Sequence, residues 1–200
     1  MYRPMQYRVD DPDILHQFVM TYPFGMLVST VEGAEWPLIT HVPFVWRHPS
    51  ESVWGHLARA NPHAHHLDGR PAVAVFEGPH GYISSDWYGM EPSVPTWDYQ
   101  AVHLMGTVRV VDDVECMDLL HTTLKVFDPQ LPLNHHVHED AYQHYRQAIV
   151  GFEFRVEKME GQFKLSQNRT RDERRRVIAA LEERGGLFDM ELARLIGKTL

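Results

Sequence analysis

Apolar and polar positions repeat with two different periods along this 200-residue chain, and each change of period marks an element. Near the start, Ile14, Leu15, Phe18 and Val19 recur at helical spacing. They follow Asp11, a capping residue, and Pro12, which suits a first helical position. Pro23 and Gly25 are expected to stop this helix. A period of two then takes over. Met26 to Val31 reads as a strand, with a turn at Glu32-Gly33. Pro37 to Trp46 reads as a second strand, with Leu38, Thr40, Val42 and Phe44 on one face and Ile39, His41 and Val45 on the other. Val53 to Leu57 and Ala72 to Phe76 follow as strands. Gly78-Pro79-His80-Gly81 reads as a loop, and Tyr82 to Ser84 extends again. A long loop carrying Pro92 and Pro95 then leads to a strand over Val102 to Val111.

Helical spacing returns at Asp113 to Phe127, through Val114, Met117, Leu120, Leu124 and Phe127. A proline-bearing loop over Asp128 to Asn134 precedes a short helix over Glu139 to Gln147. Ile149 to Met159 alternates as a strand, Glu160-Gly161 is expected to turn it, and Phe163 to Leu165 extends. Thr170 and Glu173 have capping-box spacing ahead of Val177, Ile178 and Leu181, and Gly185-Gly186 ends that helix. Leu192, Leu195 and Ile196 mark a last short one. Strands first and helices later predict a mainly β, α+β fold. An antiparallel barrel with peripheral helices fits this order better than βαβ units. Glycine-rich phosphate loops of the Rossmann or Walker type are missing, so a bound nucleotide would be held by side chains and strand-edge amides.

Composition narrows the class further. With 44% hydrophobic and 23% charged residues the chain reads as globular. Its apolar runs fall short of the roughly 18 residues that a membrane span needs. The opening MYRPMQYRVDD lacks an apolar signal core, and the single Cys116 fits a reducing compartment, so a cytoplasmic protein is expected. A net charge of −8 works against non-specific nucleic-acid binding.

Four segments carry candidate chemistry. In GHLARANPH (Gly55 to His63), Arg59 can grip a phosphate bidentately and Asn61 adds a donor; an exposed arginine in a surface turn is the plainer alternative. FEGPHGYISSDWY (Phe76 to Tyr88) sets the hydroxyls of Ser84 and Ser85 beside the aromatic faces of Tyr82, Trp87 and Tyr88. That combination suits a flavin or purine, and equally an aromatic barrel corner. In VPTWDYQAVH (Val94 to His103), Asp98 and His103 are a candidate acid–base pair, or part of a loop closing one barrel end. FKLSQNR (Phe163 to Arg169) can bind an anion or the polar edge of a heterocycle, or be the solvated approach to the next helix.

Two histidine groups, His63/His65/His66 and His135/His136/His138, invite a metal reading. They lack the cysteine pair or HExxH pattern of a zinc site, so none is expected. Cys116 lies in an apolar helical pattern and reads as packing. Arg169, Arg171, Arg174, Arg175 and Arg176 form the one concentrated positive segment, diluted by Asp172 and Glu173. It is a candidate DNA contact or a solvated helix face.

The ordered motifs MYRPMQY, YPFGMLVS, ITHVPF, GHLARANP, VFEGPHGYISSDWY, VPTWDYQAVH and KLSQNR resemble the PaiB-type FMN-binding family of negative transcriptional regulators, over about the first 170 residues. The resemblance implies an antiparallel split β-barrel of the pyridoxamine-phosphate-oxidase-like class, FMN bound non-covalently at a homodimer interface, and no membrane. It divides the chain into a barrel domain over 1–168 and a helical extension over 169–200. It places the phosphate near Arg59 and Asn61, approached by His56, Leu57 and Ala58. Thr40 and His41 are implied to face the flavin, with Ser84, Trp97, Lys164, Gln167 and Asn168 as further contacts. The family usually has asparagine where this chain has Asp98, and an aromatic or arginine within the HAHHL segment. Catalytic residues are not assigned. A flavin-dependent oxidoreductase, with His41 or His103 assisting proton transfer, and a direct DNA-binding repressor are the alternative functions. Haem binding is left open by related split barrels.

Overall fold

The computed structural model describes residues 1–47, 51–130, 144 and 146–200. Eight strands form one hydrogen-bonded sheet: β1 (Arg8–Val9), β2 (Phe24–Ser29), β3 (Leu38–Pro43), β4 (Val45–Arg47), β5 (Ser52–Ala58), β6 (Pro71–Ile83), β7 (Thr96–Val110) and β8 (Ile149–Lys164). Their spatial order is β3-β2-β6-β7-β8-β5-β4, with β1 added to β8. The pairings β1–β8, β2–β3, β2–β6, β4–β5 and β5–β8 are antiparallel. The helices are α1 (Pro12–Thr21), α2 (Asp113–Phe127), α3 (Arg171–Arg184) and α4 (Asp189–Gly197). Residues 144 and 146–148 are also helical. The rest of the helix expected over Glu139 to Gln147, and most of the loop before it, lie outside the described residues. Among the described residues no helix is long and apolar enough to cross a membrane.

The chain forms two compact units. One comprises 19–76 and 104–159. Its core is built where alternation points large side chains inward: Leu27, Val42, Phe44, Val53, Leu57, Phe76, Leu104, Val108, Phe152 and Phe154 are all buried. Phe44 meets Phe76 and Phe152 edge-on, with ring centroids 5.0 and 6.0 Å apart. Each such side chain contributes roughly 1.5–3 kcal/mol by leaving water. Helix α2 seats Cys116 and Leu119 against Trp54 and Val111, so Cys116 is packing, as expected, and burial pushes its thiol pKa up. The start of α2 is fixed by a capping box between Asp112 and Glu115. Arg109 also grips both Glu115 carboxylate oxygens at 2.8 Å, and holds that carboxyl down at about 2.

The other unit comprises 1–18, 77–103 and 160–200. Ile83, Tyr88, Leu165, Val177, Leu181, Leu192 and Ile196 form its core. The capping box predicted for α3 is present: Thr170 Oγ1 accepts from Glu173 N, and Thr170 N donates to Glu173 at 2.8 Å. Gly185 caps the far end in the left-handed region.

Three readings of turn residues are corrected. The segment 78–81 is not a loop but the middle of β6. The partner β2 reaches only to Val75, so beyond it the missing N–H of Pro79 breaks no ladder bond on that side. Thr96 to Ala101 is strand rather than loop, since β7 begins six residues earlier than its apolar pattern suggests. Glu160-Gly161 does not turn the chain either. Gly161 pairs with Val9 inside β8, and Leu15 lies where its Cβ would be, 2.3 Å away. This glycine marks close packing rather than a bend.

Candidate functional site

Of the predicted contacts, Thr40, His41, His56, Leu57, Ala58, Arg59 and Asn61 fall in the unit made of 19–76 and 104–159, on β3, on β5 and just beyond β5. Asn61 caps a short 3-10 turn over Pro62–His66, its Oδ1 accepting from His63 N at 2.9 Å. This turn carries His63 inward to 1% exposure, while His65 and His66 stay exposed. His63 Nδ1 lies 2.9 Å from Thr40 Oγ1, and Nε2 lies 2.8 Å from Ser29 Oγ. Asn61 Nδ2 donates to the same Thr40 hydroxyl at 3.2 Å. A neutral imidazole offers one donor and one acceptor, and hydroxyls can take either role, so both ring nitrogens are satisfied. Burial pushes the His63 pKa down, with His66 adding to the effect.

Adjacent residues on a strand face opposite sides. Thr40 accordingly joins the His63 network, while His41 lies outside, stacked on Phe24 at 6.0 Å. On β5, Leu57 belongs to the core and Ala58 is exposed. His56 is half-buried, which lowers its pKa. Arg59 Nε donates to the carbonyl of Gln147 at 2.9 Å and Nη2 to that of Ile149 at 2.6 Å. Both partners are neutral, so among the described residues the guanidinium is oriented without its charge being cancelled, and Nη1 keeps its donors.

Ser84, Trp97, Lys164, Gln167 and Asn168 belong to the other unit. Ser84 caps a 3-10 turn through Asp86 N at 3.3 Å. The ammonium of Lys164 is committed internally: it donates to Thr96 Oγ1, to the Trp97 carbonyl at 2.6 Å and to Asp98 Oδ1 at 3.4 Å. Gln167 folds back on Leu165 N and the Phe163 carbonyl. Asn168 is exposed. Asp98 is fully buried and accepts from Ser166 Oγ at 2.6 Å; burial raises its pKa, against the opposing pull of Ser166 and Lys164. It is not paired with His103. Five residues along a strand put the two on opposite faces, roughly 16 Å apart along the chain.

The arginine run is largely occupied. Arg174 is buried and donates to Thr199, Arg176 to the Tyr88 carbonyl, and Arg175 to Asp172; Arg169 lies over the Tyr88 ring at 3.8 Å. Among the described residues no group of three histidine, cysteine or acidic side chains is arranged to hold a metal, and His135, His136 and His138 lie outside them.

Sequence reasoning missed His63 as the pivot of the Thr40–Asn61 pair. The signal was present in Asn61-Pro62, a capping residue followed by a proline suited to a first helical position, which directs His63 N to Asn61.

Residues 1–158 match the family model FMN_bind_2, described as "Putative FMN-binding domain". The chain belongs to this FMN-binding family. It is 32% identical over 202 residues, 98% of this chain and 96% of the other, to the protease synthase and sporulation protein PAI 2 of Bacillus subtilis. An uncharacterised protein of Emericella nidulans is 26% identical, with 86% of each chain covered. Among solved structures, the flavocytochrome Anf3 of Azotobacter vinelandii superposes with a TM-score of 0.63 at 14% identity, covering 82% of this chain and 72% of that one. The FAD and haem binding protein of Mycobacterium smegmatis gives 0.61 at 15%, covering 79% and 73%. These likenesses establish the fold, and the split barrel implied by the sequence motifs is the one found. The donor set fits the family's cofactor: a flavin phosphate needs an oriented cation, and Arg59 is one, with the Asn61 amide close by in sequence.

Proposed function

We propose that this family member binds FMN non-covalently at an interface between two copies, with Arg59 holding the phosphate, and that it works in the cytoplasm as a flavin-dependent regulator of the PaiB type. The charge of Arg59, uncancelled among the described residues and oriented by the carbonyls of Gln147 and Ile149, carries this reading. A phosphate gains from charge-assisted hydrogen bonds to a guanidinium fixed in advance, because little side-chain entropy is lost on binding. Asn61 is ordered by His63 N and Thr40, and His56 and Ala58 line the approach along β5. Thr40 acts through its hydroxyl within that network, and His41 presents a ring on the opposite face of β3. When bound, FMN supplies reversible electron transfer through its isoalloxazine ring, with the protein contributing orientation and hydrogen bonds. The name of the Bacillus subtilis relative, which refers to protease synthase and sporulation, supports the regulatory part. A direct DNA contact through Arg174 to Arg176 is not part of the proposal, because these side chains hold Thr199, Asp172 and the Tyr88 carbonyl.

Quenching of FMN fluorescence by purified protein tests the binding. Saturation at one FMN per chain, lost in Arg59→Ala, is expected. Undiminished affinity in Arg59→Ala removes the phosphate assignment. Sedimentation with and without FMN tests the two-copy interface, and a monomer that still binds FMN fully rules that part out.

A further inference from the structure

A cavity of about 630 Å³ opens on β6 and β7, wholly within the unit made of 1–18, 77–103 and 160–200. Its size falls in the range of small-molecule sites, and Arg59 is not among its lining residues. Glu77, His80, Trp97, Tyr99 and His103 supply its chemistry. Trp97, Tyr99 and His103 stand on one face of β7, two and four residues apart, as strand alternation requires.

The aromatic wall is fixed. Trp97 Nε1 donates to His80 Nδ1 at 3.3 Å, and the two rings lie 5.8 Å apart. Phe188 backs His80 at 5.1 Å. An indole nitrogen can only donate, so His80 Nδ1 carries a lone pair and its proton is on Nε2. Tyr99 Oη accepts from Gln162 Nε2, which leaves its own O–H to donate. Burial lowers the pKa of His103, so this ring is neutral at pH 7 and offers one donor and one acceptor. Glu77 is the one charged side chain among the residues lining the cavity, and the Met1 ammonium, which also lines it, is neutralised by Glu160 at 2.5 Å. Cation–π attraction to Trp97 and Tyr99 acts in the same direction as that carboxylate.

We propose that this cavity is a second binding site, for a planar heteroaromatic molecule that is uncharged or positively charged and carries no phosphate or carboxylate. The ring lies against Trp97, and its polar edge meets Tyr99, His103 and Glu77. With the Met1 ammonium paired to Glu160, the Glu77 carboxylate selects against anions, and so against the phosphate end of FMN. The assignment rests on these side chains alone and stands apart from the Arg59 reading.

The test uses full-length isotope-labelled protein, with the Trp97 indole resonance identified by its loss in Trp97→Phe. Three rings of one shape serve as probes: neutral nicotinamide, its cationic ring-methylated derivative and anionic nicotinate. The neutral and cationic probes are expected to shift the Trp97 indole saturably, with nicotinate weaker by about tenfold or more. Glu77→Gln, at an exposed position, is expected to remove the advantage of the cation over the neutral ring. No saturable shift with any probe, or nicotinate binding as tightly as the others, overturns the proposal. A shift driven by protein concentration alone assigns the cavity to a second copy and overturns it too. Saturable displacement of the Trp97 indole by FMN at one equivalent assigns it to the flavin, with the same result. Arg59→Ala is expected to abolish FMN quenching while leaving the probe-induced shifts intact. Failure of the FMN reading instead shows as absent quenching in the wild-type protein.

Discussion

The Thr40 hydroxyl sits 2.9 Å from His63 Nδ1 and 3.2 Å from Asn61 Nδ2, so the buried imidazole holds Thr40 directly and Asn61 only through it. His63→Ala leaves the hydroxyls of Ser29 and Thr40 without this partner and opens a cavity. A loss of roughly 2–4 kcal/mol in unfolding free energy is expected. FMN affinity falls with it, by about tenfold, because the Thr40 hydroxyl that holds Asn61 Nδ2 loses its own partner, even though the backbone bond from His63 N to Asn61 stays. His63→Gln, which can still bond one hydroxyl, recovers part of both. Denaturant titration and FMN quenching measure the two effects separately. Equal FMN affinity in His63→Ala and wild type removes the orienting role.

His56, His63 and His103 all have pKa values pushed below the ordinary 6.5 by burial. The unfolded chain therefore takes up protons first as pH falls through 6.5, and the folded state loses stability from there down to the depressed values. Stability from these groups is full above that point, so the melting temperature is expected to fall by several degrees between pH 7.5 and pH 5.5. Asp98, with its pKa raised by burial, works in the opposite direction. The acid-side loss should therefore persist in Asp98→Asn. Calorimetry across this range decides it; a flat profile in both proteins contradicts the burial of three neutral rings.

Arg59→Lys separates charge from geometry. A lysine keeps the positive charge but cannot span the carbonyls of Gln147 and Ile149 while presenting a forked donor to phosphate. The variant should bind FMN more weakly than wild type by about tenfold and more tightly than Arg59→Ala, with a steeper salt dependence than wild type. Affinity restored fully by lysine would show that a point charge suffices.

Hydrophobic alternation made most of this architecture legible. It located β2 and β5 to within two residues at each end, helical spacing located α2, and capping residues located α1 and α3. It failed where glycine and proline were read as local punctuation. At 78–81 and 160–161 the chain runs straight because neighbouring elements pack against or pair with those residues, which is not a local property. The candidate site was legible as residue types but not as roles. Lys164 and Gln167 are polar and three positions apart in sequence, yet their polar atoms are consumed by Asp98, Trp97 and the neighbouring backbone. That accounting needs partners about 68 residues away, as with Asp98 and Ser166.

Gly106 is a further test of packing. A Cβ there would lie 1.9 Å from the Arg155 carbonyl oxygen, a backbone atom that cannot swing aside. Gly106→Ala must push β7 and β8 apart locally, so a loss of roughly 3 kcal/mol or more and poor soluble yield are expected. Wild-type melting behaviour in this variant would contradict the close approach of the two strands.

Replacing Arg174, Arg175 and Arg176 together is not a clean test of DNA binding, because the three side chains do different things. Arg174, itself buried, ties α3 to Thr199, and Arg176, though exposed, ties it to the carbonyl of the buried Tyr88. Alanine at either leaves a buried carbonyl or hydroxyl unpaired and should cost about 1–3 kcal/mol. Arg175 pairs with Asp172 on an exposed helix face, where such pairs contribute between about 0 and 1 kcal/mol. Arg175→Ala should therefore melt within a degree or two of wild type. Charge reversal at Arg171 and Arg175, both exposed, is the informative variant for nucleic acid. It is expected to leave stability unchanged and to make no difference to a low-salt gel shift. A shift that is present in wild type and lost in this variant would return the arginine segment to the list of functional surfaces.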